Sequence, residues 1–261
     1  MFASSFTLSF REGERPAAVT TSNVNTIPGI AIWYDAATPA FFQPTLPSNG
    51  ALISQWNDKS GGAHNASPKT GGTKPTFVST ATTVAGVPVG AVNFDGTQNL
   101  EIQNTTWLQN LTGYTFFMVA RTANTSSVRT LSLSDTGGFG NIMTNGVWSV
   151  QAVTATGTNT VSSLNTTSFH VHTLLFNGSG VGNDGRAQFR YDKSPQTLTW
   201  TGTVGTATNA ATKLLGFAYN TILNSNFYQG QIAEVLLYSR TLNSTEVTGV
   251  ESYLSSKWGT P

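Results

Sequence analysis

Phe169-His170-Val171-His172-Thr173-Leu174-Leu175-Phe176 is a run of aromatic, β-branched and aliphatic residues that stops at Asn177-Gly178. Its spacing is close to a period of 2, the repeat of a strand whose side chains point alternately to two faces. Three more runs share this character: Thr115 to Ala120, Ala187 to Tyr191, and Ile232-Ala233-Glu234-Val235-Leu236-Leu237-Tyr238. Between such runs lie SGGAHNASPKTGGTKP, SDTGGFGN, NGSGVGNDG and TGTVGTATNAAT, rich in turn residues and without helical spacing. The chain therefore predicts many strands joined by turns. One helix stands out. Asn243 can cap it and Glu246 can reach back to close a capping box. Val247, Val250, Leu254 and Trp258 then form one stripe, and Gly259 ends it. This helix is expected over an edge or end of the sheets.

Only 10% of the 261 residues are charged, against roughly a quarter in an ordinary soluble domain. The polarity is neutral instead: 41 Thr, 25 Ser, 21 Asn and 26 Gly. Threonine suits a pleated surface and keeps an outward face polar without charge. With a net charge of +1, no basic stripe is available to replace counterions on a phosphate backbone, so nucleic acid is not expected as a partner. No apolar stretch approaches the roughly 20 residues of a spanning helix. The absence of cysteine removes thiol catalysis and thiolate zinc sites. In MFASSFTLSFREGERP the basic residues Arg11 and Arg15 follow the apolar part, the reverse of a secretory signal. These features predict an N-terminal arm over residues 1–27, suited to assembly contacts, followed by one all-β domain over 28–261.

Two groups of motifs carry a family resemblance. The first is Trp56-Asn57-Asp58-Lys59-Ser60-Gly61, Asn65-Ala66-Ser67 and Val92-Asn93-Phe94-Asp95-Gly96. The second is Gly230-Gln231-Ile232-Ala233-Glu234-Val235, Tyr238-Ser239-Arg240-Thr241-Leu242, Glu246, and Val250-Glu251-Ser252-Tyr253-Leu254 through Lys257-Trp258-Gly259. Together they resemble the laminin-G-like members of the concanavalin A-like lectin and glucanase superfamily, in the form found in phage virion and bacterial surface proteins. The resemblance spans roughly Ile30 to Gly259 and implies a two-sheet antiparallel jelly-roll sandwich. Much of it has a purely structural reading. Asp58 and Asp95 precede Ser or Gly as turn-forming carboxylates do, and Trp56, Phe94 and Trp258 read as core anchors.

Glucanases of that superfamily carry an acid and a nucleophile or base on one strand. The twelve acidic residues here contain no Glu-x-Asp-x-x-Glu pattern, and Glu12 and Glu14, which have a suitable spacing, sit in the arm. No catalytic residue is assigned, and a non-enzymatic protein is expected. His170 and His172 share one face of a strand; with His64 the only other histidine, they read as residues of a solvent or inter-subunit face rather than metal ligands. Asn183 and Asp184 offer the one local oxygen pair suited to Ca²⁺, short of the cluster such a site needs. A carbohydrate surface needs an aromatic face with neutral amides and hydroxyls around it. Trp148, Tyr219, Asn220 and Asn226 supply that mixture in or near loops, as does Trp107.

These observations favour a non-enzymatic phage virion protein, a capsid decoration, tail or fibre component. Its arm would dock on other virion proteins, and its lectin-like domain could meet a host-surface glycan. A bacterial carbohydrate-binding module is the alternative, and a glycoside hydrolase ranks third.

Overall fold

The computed structural model describes residues 22–122, 128–133, 138–144, 147–159, 167–208, 215–219, 221 and 224–261. In chain order the strands are β1 (Ile30–Asp35), β2 (Phe42–Gln43), β3 (Gln55–Trp56), β4 (Thr76–Val84), β5 (Val87–Asp95), β6 (Leu100–Ile102), β7 (Gly113–Thr122), β8 (Val128–Leu133), β9 (Gly138–Thr144), β10 (Val147–Val153), β11 (Ala155–Asn159), β12 (His170–Asn177), β13 (Ala187–Tyr191), β14 (Ser194–Pro195), β15 (Leu198–Thr201), β16 (Leu215–Phe217) and β17 (Gln229–Tyr238). The α-helices are α1 (Ser22–Thr26), α2 (Gly182–Arg186) and α3 (Ser244–Trp258). Two antiparallel sheets face each other. The first runs β14-β13-β12-β7-β17-β5-β4, with β1 also paired to β17, and the second runs β15-β11-β10-β9-β8-β16-β6. This is the expected jelly-roll sandwich of concanavalin A-like type with its C-terminal helix. Of the expected arm, residues 1–21 lie outside the described residues. Val24, on α1, is buried, and its carbonyl accepts from the Tyr238 hydroxyl at 3.3 Å.

Register separates the two faces of the first sheet. Tyr34, Val235, Met118, His172 and Tyr191 oppose one another from strand to strand. They point into the sandwich, since Tyr34 packs edge-on against Phe217 of the second sheet. The next row, Asp35, Glu234, Val119 and Val171, points the other way. There α3 lies across the face of the sheet, packed on β12, β7 and β4, rather than over an edge or end. The reason is visible in β7 and β17, whose nearly continuous burial needs cover on both sides.

The helix is bound to that face through buried acids. Glu234 is fully buried and accepts from Trp33 Nε1 at 2.7 Å, Tyr253 OH at 2.9 Å, Trp258 Nε1 at 2.6 Å and Lys257 Nζ at 2.7 Å. Lys257 reaches on to Asp35 at 2.7 Å, which Lys59 meets from its other side at 2.6 Å. Burial would raise the Asp35 carboxyl, but the two ammonium groups outweigh it and hold it below its ordinary value. Glu251, also fully buried, accepts from Thr173 and Arg190. Removing one partner from such a buried pair typically costs about 3–5 kcal/mol, because the other charge stays uncompensated. The capping box forms as expected, with Asn243 Oδ1 accepting from Glu246 N at 3.0 Å and Glu246 Oε2 from Asn243 N at 2.9 Å. Gly259 closes the helix in the left-handed region, at φ +64°.

The structural reading of the first motif group also holds. Asp58 accepts from the amides of Trp33 and Ser60, both at 2.9 Å, and Asp95 from that of Thr97 at 2.9 Å. Trp56, Phe94 and Trp258 are buried in the core.

Candidate functional site

With the first sheet covered by α3, the outer face of the second sheet presents its own row of directly opposed positions. From β6 to β15 these are Glu101, Gly216, Ser132, Gly140, Gln151, Thr156 and Thr201. Their strand neighbours Leu100, Phe217, Leu131, Val150 and Ala155 are buried in the core. A second row runs Arg129, Ile142, Ser149, Thr158 and Thr199. Thr158, Thr199 and Thr201 are exposed, and Gln151 and Thr156 are half-buried. Alternation of this kind follows from the composition: β-branched hydroxyl residues pair well across strands and remain compatible with water.

The row has an open end and a roofed end. At the roofed end Gly216 has no room for a Cβ, which would collide with the Tyr219 ring and the Thr221 methyl. Tyr219 is fully buried there, stacked on Phe227 at 5.8 Å, and its hydroxyl donates to Glu101 Oε2. Burial, with the Glu101 carboxylate, pushes that phenol well above its ordinary value, so it stays a donor. Gln103 Nε2 donates to the other Glu101 oxygen. Ser132 and Thr221 hydroxyls meet at 3.3 Å. Beyond this roof Lys69 Nζ donates to Asn224 Oδ1 at 3.0 Å. At the open end Arg129 Nη1 donates to Gln151 Oε1 at 3.0 Å and Ser149 Oγ to Thr158 Oγ1 at 3.5 Å. This strip of the outer face, the threonine trough, ends at the Tyr219 roof and carries hydroxyls toward β15.

The expected carbohydrate residues fall in different places. Tyr219 is a wall residue, with no ring face offered to solvent. Asn226 is half-buried in a left-handed turn at φ +55°; its carbonyl accepts from Arg129 N at 3.0 Å and its side-chain oxygen from Ser225 Oγ at 3.0 Å. Trp148 belongs to β10 opposite Met143; its side chain and the whole of Asn220 lie outside the described residues. Trp107 is half-buried with His64 stacked on it at 4.3 Å. The sequence left Glu101, Gln103, Gln151 and the threonine pavement unflagged, although Thr156-Gly157-Thr158 and Thr199-Trp200-Thr201 carry the alternation that places their hydroxyls together.

One expectation about polar groups needs correction. His170 and His172 share a face, but it is the interior one: both are buried because their strand lies between β7 and β13 and their row faces the second sheet. His170 stacks on Tyr191 and holds Asp192 through Nδ1 at 2.5 Å. The oxygens considered for Ca²⁺ are already engaged, Asn183 Oδ1 by Val204 N at 2.9 Å and Asp184 Oδ1 by Trp200 Nε1 at 2.6 Å. Among the described residues no three His, Cys, Asp or Glu side chains gather as a metal site.

The architecture defines a two-sheet antiparallel β-sandwich. No family model matches the chain, and no curated protein matches it. Among solved structures it is similar to domain 4 of AbnA, an extracellular arabinanase of Geobacillus stearothermophilus solved with arabinotriose. The TM-score is 0.55 at 10% identity, covering 85% of this chain and 98% of that one. An arabinofuranosidase complexed with arabinofuranosyl-α-1,2-xylobiose gives 0.58 at 11% identity, over 79% of this chain and 51% of that one. The binding domain of botulinum neurotoxin DC, solved with rat synaptotagmin II, gives 0.55 at 9% identity, over 89% and 55%. The chain therefore spans about half of the latter two and nearly all of the AbnA domain. At these identities the likeness is one of fold. No helix among the described residues is long and apolar enough to cross a membrane.

Proposed function

We propose that this is a non-enzymatic carbohydrate-binding sandwich that receives a neutral glycan on the outer face of its second sheet. The observation that carries the reading is the polar strip itself, exposed at Thr158, Thr199 and Thr201, half-buried at Gln151 and Thr156, and ending at the buried Tyr219–Glu101 contact. Neutral hydroxyls and an amide recognise sugar hydroxyls by replacing their water partners, at a desolvation cost far below that of buried charge. The AbnA domain solved with arabinotriose supports the reading by analogy of fold. A glycan array probed with the full chain, with and without Ca²⁺, is expected to retain neutral oligosaccharides. Thr158→Val and Gln151→Ala should each weaken them by about tenfold, the worth of one or two good hydrogen bonds. No retained sugar at high protein concentration overturns the reading.

The finer proposal is a virion protein of laminin-G-like type, with the N-terminal arm docking it to neighbouring virion proteins. Its support is the sequence resemblance, whose closing motif supplies Glu234, Glu251 and Trp258 to the buried contacts beneath α3, together with the nearly uncharged composition. Because Val24 packs into the sandwich, the informative truncation removes residues 1–21 and keeps α1. That variant is expected to keep its melting temperature and to be excluded from particles; incorporation at wild-type level would refute arm docking.

A further inference from the structure

Arg121 is the last but one residue of β7, on the side of the first sheet that faces α3. Its guanidinium lies over the Phe169 ring at 4.6 Å, and Phe169 in turn packs on Trp258 of α3 at 6.4 Å. Its Nε donates to Gln231 Oε1 at 3.1 Å. Stacking and that one bond fix the plane of the group, which a cation over an aromatic face favours. Both Nη groups are without an acceptor among the described residues. Other cations of the molecule are matched differently: Arg190 to Glu251, Arg240 to Glu246, Lys59 and Lys257 to Asp35, and Arg186 to the carbonyls of Gly180 and Val204.

The other side of Arg121 opens on a cavity of about 310 Å³, lined also by Thr82, Ser168, Phe169, Trp258, Gly259 and the backbone end at Pro261, with no Asp or Glu side chain among the described residues of its wall. The other titratable residue there, His170, is turned through Nδ1 to Asp192. A planar guanidinium held by Nε, its Nη groups engaged by no acceptor among the described residues, matches the two oxygens of a carboxylate. The volume is at the low end of ligand pockets, about 300–1,000 Å³, enough for a sugar ring or two.

We propose that this cavity binds the carboxylate of a uronic acid residue, Arg121 gripping the carboxylate through both Nη groups while the Ser168 and Thr82 hydroxyls meet ring hydroxyls. The inference rests on the carbohydrate reading for its ligand class but concerns a different site, on the opposite sheet from the threonine trough.

The test titrates the full chain by calorimetry with digalacturonate, its methyl ester, and an acetylated dipeptide bearing a free C-terminal carboxylate. Digalacturonate should bind, with the ester and the dipeptide each at least tenfold weaker. Arg121→Gln should lose at least tenfold toward digalacturonate. Arg121→Lys, which keeps the charge and loses the fork, should fall between the two, with both variants melting as wild type does. Equal binding of acid and ester, equal binding of dipeptide and digalacturonate, or an unaffected Arg121→Gln overturns the proposal. The two readings separate cleanly. Neutral glycans retained with digalacturonate unaffected by Arg121→Gln would sink this one alone, and digalacturonate bound at Arg121 with no neutral glycan retained would sink the trough alone.

Discussion

His172 sits in the interior row between Met118 and Tyr191, its ring edge-on to Tyr191 at 5.1 Å. Burial first, and the neighbouring His170 second, push its pKa from 6.5 down to about 3. The unfolded chain takes up this proton near pH 6.5 and the folded chain only near 3. Between those values the unfolded state binds more protons, so stability falls as pH falls. The loss from this one ring is about 3 kcal/mol at pH 4. Asp35 works in a lower window, since its depressed carboxyl keeps its contribution until pH drops below 3.8. His64, lowered by partial burial, adds in the same direction as His172. The readout is therefore a difference: urea midpoints at pH 7 and pH 4 should diverge in wild type by clearly more than in His172→Gln. Equal divergence in the two proteins would show that His172 titrates normally in the fold.

At the scale of elements, what could be read from sequence was what is written locally. The β12, β13 and β17 runs, the body of β7, and α3 with its Asn243–Glu246 box and Gly259 stop all carry period or capping signals within a few residues, and each formed. Gly138–Thr144 did not announce itself: SDTGGFGN reads as turn, yet β9 is held by neighbours on both sides, β8 and β10. Tertiary pairing overrode propensity there, as it does where glycine is tolerated between strong strands. The position of α3 over a face follows from the burial of Ile232–Tyr238 on both sides, which the period-2 reading of that run does not show. Glu234, one acid inside that run, required donors; that they would be Trp33, Tyr253, Lys257 and Trp258 depends on contacts up to 201 residues apart. The wall of the trough has the same character. Tyr219 was noticed as an aromatic beside amides, but its role is set by Glu101, 118 residues away, which no local pattern connects to it.

For the whole molecule, scarcity of charge and its placement act together. The chain carries a net charge of +1 with 10% of its residues charged, and Asp35, Glu101, Glu234 and Glu251 are all buried. Asp35, Glu234 and Glu251 each meet a cation, so little of their field reaches the threonine trough. The Arg121 cavity is the contrasting case, because its guanidinium meets no carboxylate among the described residues. Salt distinguishes the two surfaces, since the screening length falls from about 10 Å near 0.1 M to about 3 Å near 1 M. A neutral oligosaccharide on the trough should keep its affinity within about twofold across that range, because no ionic attraction is there to be screened. Digalacturonate should weaken several-fold over the same range, and the weakening should vanish in Arg121→Gln. Strong salt dependence of the neutral ligand would mean that its binding displaces ions held at Arg129 or Lys69, and the neutral-pavement account of that face would fail.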